Sequence, residues 1–300
     1  MNIGEAERYI REQLSNIYET NEASVIAGMV VEHITSLSGN DRVLKKGQGL
    51  TAQQVQQLEQ YLHRLQQHEP VQYIMNKAWF YGMELFISNA VLIPRPETEE
   101  LVQWIINDVK ISGKDVFTHR PMKADETTKL KILDVGTGSG CIALALKKAM
   151  PRAEVWGCDV SEAALNVARR NGSALDVRVD FQGMDFLDAN QQKQLPTVDI
   201  LVTNPPYIPP SNKEQMNPNV VAYEPHTALF VPHNDPLVFY KALAEFGKRR
   251  LYKNGAIYAE VHEDHGKEVF NLFKQEGYEN IELKKDMQGK DRMVKVMNNE

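Results

Sequence analysis

The sequence predicts an α/β protein in which a small helical bundle precedes a seven-stranded, doubly wound sheet. The first 70 residues carry apolar stripes with helical spacing and show no strand pattern. From residue 130 onward, short apolar runs alternate with amphipathic segments, an order typical of parallel strands joined by helices. The last two apolar runs, at 280–285 and 292–297, predict an antiparallel hairpin at one edge of the sheet.

Three helices account for the N-terminal 70 residues. Asn21 and Thr51 are the expected caps of the second and third helix. The apolar positions are Ile3, Ile10, Leu14 and Ile17 in the first helix, Val25, Ile26, Val30, Ile34 and Leu37 in the second, and Val55, Leu58, Leu62 and Leu65 in the third. This domain, 1–70, holds six Lys/Arg and nine Asp/Glu residues. We expect it to pack or to recognise a partner rather than to catalyse.

Residues 71–96 are expected to form a β-hairpin linker. The runs Pro70–Ile74 and Ala78–Ile87 are interpreted as two short strands around a glycine turn. Arg95 and Glu97 follow in a stretch stiffened by prolines, where they either line a ligand cleft or brace the two domains.

The third domain is predicted at 97–300. Pro96 and Thr98 fit the start of a helix that continues through Ile106. A polar stretch without periodicity, 110–129, predicts a flexible loop before the first core strand.

Composition and net charge exclude several classes of protein. The 300 residues are 42% hydrophobic and 25% charged, as in ordinary globular proteins. No apolar run approaches the ~18 residues of a membrane span, and the N-terminus lacks the features of a secretory signal. A net charge of −6 disfavours a protein that grips duplex DNA. Two isolated cysteines, Cys141 and Cys158, suggest a reducing compartment, so we expect a cytoplasmic location.

A glycine-rich turn follows the first core strand, Lys131–Val135. The turn consists of Gly136, Thr137, Gly138, Ser139 and Gly140. Glycines at alternate positions let the backbone approach a ligand where a Cβ would clash. The G-x-G-x-G spacing differs from that of dinucleotide sites, and no lysine follows to grip a triphosphate.

Acidic residues at the ends of the next strands favour an adenosine ligand. Asp159 is placed to accept both ribose hydroxyls, and Asp134 can hold an amino-acid group through water or backbone amides. Asp185 suits the exocyclic amine of adenine, and Phe186 suits its ring. The alternatives are that Asp134 and Asp159 cap strand ends and that Phe186 is a core residue. Together these residues indicate adenosine recognition without phosphate recognition, which points to S-adenosylmethionine.

The turn after the fourth strand carries the strongest functional signal. Its residues are Asn204, Pro205, Pro206 and Tyr207. Because the prolines restrict the backbone, the Asn204 amide, the Pro205 carbonyl and the Tyr207 ring form a fixed array. Two acceptors and an aromatic face suit a planar NH2 group, such as that of glutamine, asparagine, adenine or cytosine. All four residues are therefore candidates for substrate binding, and Asn204, Pro205 and Tyr207 are candidates for catalysis. The alternative is that the Asn-Pro-Pro sequence only forms an ordinary loop after the strand.

Two more polar segments lie downstream. The stretch 209–218 and the following Ala222–His226 predict a long loop that serves as a lid or substrate clamp. His262–His265 is the nearest approach to a metal-ligand cluster, but it is interpreted as a solvated helix start, and no metal site is expected.

With these motifs in hand, the chain resembles the PrmC/HemK family, the protein-(glutamine N5) methyltransferases that modify peptide chain release factors. The resemblance covers nearly the whole chain. Matching segments outside the methyltransferase core are Glu69–Ile74, Phe80–Gly82, Leu92–Glu99, Glu224–Pro225 and Asp286–Arg292. The chain departs from the family pattern at Phe186, where some members carry Trp, at Asn76, where Gly is common, and in a longer loop at 110–129.

The resemblance implies a Rossmann-like methyltransferase sheet and roles for the site residues. Residues Gly136–Gly140, Asp159, Phe186 and Asn204 contact S-adenosylmethionine, and Asn204–Tyr207 hold the substrate glutamine. That glutamine belongs to the Gly-Gly-Gln motif of class-1 peptide chain release factors. We expect a monomer that makes no direct contact with nucleic acid or membrane.

Three other functions remain open from the residues. They are glutamine methylation of a ribosomal protein, N6 methylation of adenine in nucleic acid, and cofactor binding by a silent adaptor. The acidic charge and the Leu92–Glu99 segment argue against the adenine reaction, and the intact Asn204–Tyr207 turn argues against an adaptor.

Overall fold

The computed structural model describes residues 1–111, 129–232 and 235–298. The chain divides into two compact units, one of residues 1–77 and 217–223 and the other of residues 78–216 and 224–300. Most of the predicted loop at 110–129 lies outside the described residues, but residues 110 and 111 belong to a helix.

The first unit is helical, as predicted for its N-terminal part. Its elements are α1 (Ile3–Leu14), α2 (Thr20–Thr35), α3 (Gly39–Leu44), α4 (Ala52–Gln66), α5 (Val71–Met75) and α9 (Pro218–Tyr223). The predicted cap of α4 is confirmed, because the Thr51 hydroxyl accepts the Gln54 N–H while the Gln54 side chain accepts the Thr51 N–H. Apolar side chains from the helices form one core, in which Leu14, Ile26 and Leu58 are buried.

Several local predictions in this unit are wrong. Helix α2 begins before Asn21, with Glu19 at the cap position and no side-chain cap bond, and Val25 is 61% exposed. The short helix α3 was not expected. Residues 71–74, expected as a strand, are helical because the Pro70 carbonyl accepts the N–H groups of Tyr73 and Ile74. Burial of Ile74 in a helical core outweighs its preference for strands.

The hairpin starts later than the sequence indicated. Its strands are β1 (Lys77–Phe80) and β2 (Met83–Phe86), followed by α6 (Pro96–Ile111). Tyr81 and Gly82 have φ values of 48° and 70°, as a two-residue type I′ turn requires. The Glu99 carboxylate accepts the Tyr81 N–H at 2.9 Å, so the turn is tied to α6. The predicted start of α6 at Pro96 is confirmed.

Seven strands form the main sheet, in the order β5-β4-β3-β6-β7-β9-β8. They are β3 (Lys131–Val135), β4 (Glu154–Asp159), β5 (Asp180–Gly183), β6 (Val198–Thr203), β7 (Leu251–Glu260), β8 (Asn280–Lys285) and β9 (Asp291–Met297). The first five in spatial order are parallel, while β9 is antiparallel to β7 and β8. The predicted seven-stranded sheet with a reversed final hairpin is confirmed.

Helices cover both faces of this sheet. They are α6, α7 (Cys141–Ala149), α8 (Glu162–Ala174), α11 (Val238–Arg250) and α12 (Gly266–Gln275), while the short helix α10 (His226–Leu229) lies between β6 and α11 along the chain. Along β6, Ile200 and Val202 join the core that contains α6, α7 and α8, whereas Leu201 joins the core of α11 and α12. Ligands in such sheets bind beyond the carboxyl ends of the parallel strands.

The segment after residue 209 differs from its prediction. It contains a 3₁₀ helix at Pro210–Gln215, then α9 and α10, so the expected long irregular loop is wrong. Prolines at or next to the helix starts favour these short turns because their φ is already helical. The lid hypothesis stays a prediction. Within the described ranges, no helix has both the length and the apolarity needed to cross a membrane.

Candidate active site

The glycine-rich turn joins β3 to α7 at the carboxyl edge of the sheet. Gly136, Gly138 and Gly140 have φ values of 67°, 54° and 81°, which L side chains rarely adopt. A Cβ at Gly140 would lie 3.1 Å from the Phe181 ring, whereas a Cβ at Gly136 would meet nothing within 4 Å. The turn is therefore packed against protein on one side and open on the other, as a ligand cradle requires.

Two buried oxygen atoms beside this turn have no hydrogen-bond partner among the described residues, Asp134 Oδ1 and Ser139 Oγ. The other Asp134 oxygen, Oδ2, accepts the Thr137 hydroxyl at 2.6 Å and the Ala143 N–H at 3.2 Å. Burial raises the pKa of Asp134 to about 7. Because buried polar atoms normally find partners, the two free oxygens fit the polar amino-acid end of a ligand.

Asp159 ends β4 and lines the same cleft. Its Oδ2 accepts the Gly138 N–H and its Oδ1 accepts the Ser161 N–H, both at 2.9 Å. Burial raises the pKa of this carboxyl. Each oxygen keeps a further lone pair, so the carboxylate can still accept two ribose hydroxyls.

Asp185 and Phe186 follow β5, where the sequence placed them. Phe186 is 4% exposed, and its ring centroid lies 5.3 Å from that of Phe246, so it is a core residue as well as a wall of the cleft. Asp185 Oδ1 accepts the Leu187 N–H at 2.9 Å, which fixes the carboxylate at the cleft.

One cleft collects most of the predicted site residues. The space between its walls, with open solvent at the mouth included, is about 970 Å³. The predicted residues that line it are Gly136, Thr137, Gly138, Ser139, Asp159, Asp185, Phe186, Asn204 and Pro206. Asp134, Gly140, Pro205 and Tyr207 are not among its lining residues. Asp134 and Pro205 are buried, a side chain at Gly140 would meet Phe181 and α8, and the Tyr207 ring lies against His262.

The Asn204–Tyr207 turn leaves the end of β6 beside this cleft. The Thr203 hydroxyl donates to the Val135 carbonyl at 2.7 Å, which anchors the turn to β3. Pro205 is buried, while Tyr207 is half-buried and meets the His262 ring edge-on at 5.6 Å. The turn therefore sits on a rigid support.

Thr98 and Glu260 lie behind Asn204, and neither was predicted to belong to the site. Asn204 Nδ2 donates to Thr98 Oγ1 at 3.1 Å, and the Thr98 hydroxyl donates to Glu260 Oε2 at 2.7 Å. The Tyr207 hydroxyl is 3.4 Å from Glu260 Oε1, to which it donates. Thr98 and Glu260 are each 2% exposed. Burial raises the pKa of Glu260 to about 7, although the Thr98 hydrogen bond and the Arg292 charge oppose the rise.

A signal for Glu260 was present in the sequence. It is a carboxylate at the carboxyl end of a buried strand, β7, and β7 neighbours β6. The same rule pointed to Asp159, but the pairing of β6 with β7 is needed to bring Glu260 to Asn204. Thr98 offered no such signal, because its place at a helix start explained it already.

Arg95 both lines the cleft and braces it. Its guanidinium pairs with Glu224 at 2.5 Å, and the Glu224 side chain is 1% exposed. The Ile93 N–H donates to the same carboxylate at 3.3 Å. Glu97 is not among the described cleft-lining residues, but its charge contributes to the raised pKa of Glu260.

The histidines after β7 do not form a metal centre. The described part of the chain contains no group of three or more His, Cys, Asp or Glu residues that could hold a metal ion. His265 is the N-cap residue of α12, and partial burial lowers the pKa of His262.

Comparison with known families and structures assigns the fold to a class of enzyme. Residues 117–222 match the family described as the methyltransferase small domain. The crystal structure of the hMettl16 catalytic domain in complex with MAT2A 3′UTR hairpin 6 superposes with a TM-score of 0.53 at 16% identity, covering 83% of each chain, which shows a shared fold. These matches, together with full-length relatives that are glutamine methyltransferases, place the protein among the S-adenosylmethionine-dependent methyltransferases.

Full-length relatives give the family. Residues 5–75 match the PrmC N-terminal domain. The release factor glutamine methyltransferase of Flavobacterium psychrophilum is 38% identical over 283 residues, covering 94% of both chains. Its counterpart in Bacteroides thetaiotaomicron is 36% identical and covers 95% of this chain and 96% of its own length. The chain belongs to the release factor glutamine methyltransferase family, and the resemblance inferred from the sequence is confirmed.

Proposed function

We propose that this protein methylates the side-chain nitrogen N5 of the glutamine in the Gly-Gly-Gln motif of class-1 peptide chain release factors, with S-adenosylmethionine as methyl donor. The names of its relatives support a release factor as partner. The array at Asn204–Tyr207 supports an amide as the methylated group. We place the reaction in the cytoplasm, where release factors act, and expect a monomer without direct nucleic-acid or membrane contact.

The cleft residues fit the methyl donor. The glycine-rich turn with Asp134 and Ser139 would hold the amino-acid end, because it offers open backbone and two unpartnered oxygens. Asp159 would accept the ribose hydroxyls, and Asp185 with Phe186 would hold the adenine. When bound, S-adenosylmethionine supplies an electrophilic methyl group on a positively charged sulfur.

The chain would activate the amide by orienting it. An amide nitrogen is a poor nucleophile because its lone pair is delocalised into the carbonyl. Asn204 Oδ1 and the Pro205 carbonyl would accept the two N–H bonds, which localises electron density on nitrogen and aims it. The same two oxygens would stabilise positive charge that develops on nitrogen, while Tyr207 packs against the amide plane. The proton can leave to water afterwards, so no strong general base is needed.

The orientation of Asn204 is the observation that carries this proposal. Its NH2 group is engaged by Thr98, so its Oδ1 lies on the other edge of the amide, and Asn204 lines the cleft. A half-buried acceptor at the end of β6 suits a substrate that offers N–H donors.

Methyl transfer to a purified release factor tests the reaction and its target. The enzyme and radiolabelled S-adenosylmethionine are mixed with a class-1 release factor, or with the same factor carrying Gln→Ala in its Gly-Gly-Gln loop. We expect label in the first and none in the second. Equal label in both would move the target elsewhere, and label in neither would direct attention to ribosomal proteins and nucleic acid.

Substitution of Asn204 separates substrate and cofactor roles. Asn204→Ala should abolish turnover and leave the affinity for S-adenosylmethionine within a few-fold, because its main contact is with the substrate amide. Asn190→Ala, an exposed asparagine outside the cleft, is the matched control. A collapse of cofactor affinity in Asn204→Ala would make Asn204 chiefly a cofactor residue.

We further propose that the helical domain, 1–70, recognises the release factor, with 71–96 as linker and 97–300 as catalytic domain. On α3, the adjacent Val43 and Leu44 are 74% and 84% exposed, so two neighbouring apolar side chains are available to a partner. Leu44→Asp should raise KM for the intact factor but not for a short Gly-Gly-Gln peptide. Gln13→Asp, which adds the same charge on α1, should change neither value; equal KM values for all three proteins on the intact factor would contradict this role.

A further inference from the structure

We infer that Thr98 and Glu260 form a positioning relay that fixes which edge of the Asn204 amide faces the substrate. The inference rests on the proposed function, because it takes an amide as the group that Asn204 binds. Thr98 also lines the cleft, but its hydroxyl is bonded to Asn204 and Glu260, so both residues would act through Asn204.

The polarity of the relay follows from counting hydrogens. A threonine hydroxyl has one hydrogen, and Thr98 donates it to Glu260 Oε2 at 2.7 Å. The Thr98 oxygen can then only accept from Asn204, so Asn204 must present its NH2 edge, and Nδ2 lies 3.1 Å away. An ionised Glu260 at the end of the relay therefore selects one of the two flipped states of the Asn204 amide.

The selected state is the productive one. With Nδ2 held by Thr98, Asn204 Oδ1 is left to accept an N–H from the substrate amide. In the flipped state, the Asn204 NH2 group would face the substrate NH2 group, and donor would meet donor. The two states have nearly the same shape, so packing alone cannot distinguish them, whereas the relay can.

Charged and titratable groups surround the carboxylate from every neighbouring element. They are Glu97 on α6, Tyr207 after β6, Tyr240 on α11, Arg292 on β9 and His262, which lies against the Tyr207 ring. Tyr240 donates to the backbone carbonyl of Glu260 at 2.8 Å and so leaves the carboxylate free for the relay. Burial nevertheless raises the pKa of Glu260 to about 7.

Protonation of Glu260 would reverse the relay. A protonated Glu260 can donate to Thr98, whose own hydrogen then turns toward Asn204 and favours the flipped amide. Because the ionised form is the active one, kcat should fall as the pH falls through about 7. The other titratable neighbours remain in place when Glu260 is replaced, so a Glu260 variant isolates this effect.

The first test compares two substitutions at Thr98. Thr98→Val keeps the shape and removes the hydroxyl, so kcat should fall about tenfold or more while the dissociation constant for S-adenosylmethionine stays within twofold. Thr98→Ser keeps the hydroxyl and should recover most of the loss. Equal kcat values for the Val and Ser variants would overturn the relay.

The second test uses pH and Glu260→Gln. Glutamine does not ionise, so its hydrogen bonding to Thr98 does not change with pH whichever amide edge faces Thr98, and the part of the fall of kcat near pH 7 that Glu260 causes should disappear. Persistence of the same fall in Glu260→Gln would overturn the inference. If circular dichroism shows that Thr98→Val does not fold, Glu260→Gln still tests the relay.

A measurement without substrate separates this inference from the proposed function. The Asn204 side-chain amide is assigned in a 1H–15N spectrum by its loss in Asn204→Ala. In the wild type its shifts should titrate with a midpoint near the pKa of Glu260, about 7, and in Glu260→Gln they should not. An amide signal that ignores pH in the wild type would refute the relay even if the release factor is methylated. If the Asn204 signal titrates but the enzyme does not methylate the release factor, only the proposed substrate is refuted.

Discussion

Asn171 joins three parts of the catalytic unit that are distant in sequence. It lies on α8, is 1% exposed, and its Nδ2 donates to the Ser139 carbonyl and to the Phe86 carbonyl, each at 3.0 Å. Its Oδ1 accepts the Phe86 N–H at 2.8 Å. The side chain therefore links the end of the hairpin to the glycine-rich turn, and Asn171→Ala should break both links at once.

The cost follows from the hydrogen bonds that are lost. Three bonds at about 1 kcal/mol each give about 3 kcal/mol. Because the change leaves the buried Ser139 carbonyl and the part-buried N–H and carbonyl of Phe86 without their partner, we expect a loss of about 3–5 kcal/mol. That is a large part of the roughly 5–15 kcal/mol that stabilises a typical domain.

Urea unfolding followed by tryptophan fluorescence measures this loss in the right unit. All three tryptophans, Trp79, Trp104 and Trp156, lie in the unit of residues 78–216 and 224–300. Asn166→Ala is the matched control, because Asn166 is exposed on the same helix; it should change the free energy of unfolding by less than about 0.5 kcal/mol.

Cofactor binding gives a second readout of the same change. Ser139 belongs to the glycine-rich turn, so loss of its anchor should weaken S-adenosylmethionine binding by about fivefold, or ~1 kcal/mol. If Asn171→Ala and Asn166→Ala unfold within about 0.5 kcal/mol of each other, the three hydrogen bonds contribute nothing net and the reasoning is refuted.

Three further predictions concern residues that support the cleft. Gly157→Ala should destabilise the protein by about 1–3 kcal/mol in urea unfolding, because its Cβ would lie 2.8 Å from Thr137 Oγ1; an unchanged midpoint would contradict this. The raised pKa of Asp134, about 7, means that the folded state holds this proton more tightly, so stability is lost as pH rises from about 4 to 7. The difference in unfolding free energy between the wild type and Asp134→Asn should therefore fall by on the order of 4 kcal/mol between pH 4 and pH 7. A difference that does not change with pH would show that the pKa of Asp134 is not raised. Arg95→Met should lower the free energy of unfolding by about 2 kcal/mol, less than for a fully buried ion pair, because the Arg95 side chain is 34% exposed. In a double-mutant cycle, Glu224→Gln should recover part of this loss, whereas strictly additive effects would show that the two side chains are not coupled.

Patterns with a local cause were predicted well. Alternate glycines at 136–140 indicate a turn with positive φ, and all three glycines adopt it. Thr51 with Gln54 indicates a helix start, and the capping box forms. The order of strands and helices along the chain predicted the doubly wound sheet, because short apolar runs separated by helical segments have few other ways to bury both faces.

Segments whose sequence fits more than one type of secondary structure were predicted less well. Val71–Met75 has strand-forming residues, but the helical core around it decides for a helix. The polar stretch after 209 gave no periodicity, and its short helices depend on prolines at or beside the helix starts rather than on apolar spacing.

The residues alone predict an adenosine-type ligand and a planar NH2 group as acceptor, because the glycine-rich turn, Asp159 and the Asn204–Tyr207 turn each act through backbone geometry set by neighbouring residues. The orientation of Asn204, in contrast, depends on residues that only folding brings together. Thr98 and Glu260 are 162 residues apart and meet because β6 and β7 pair and α6 packs beside them. A hydrogen bond between such distant residues leaves no periodic trace in the chain, so only the folded arrangement reveals it.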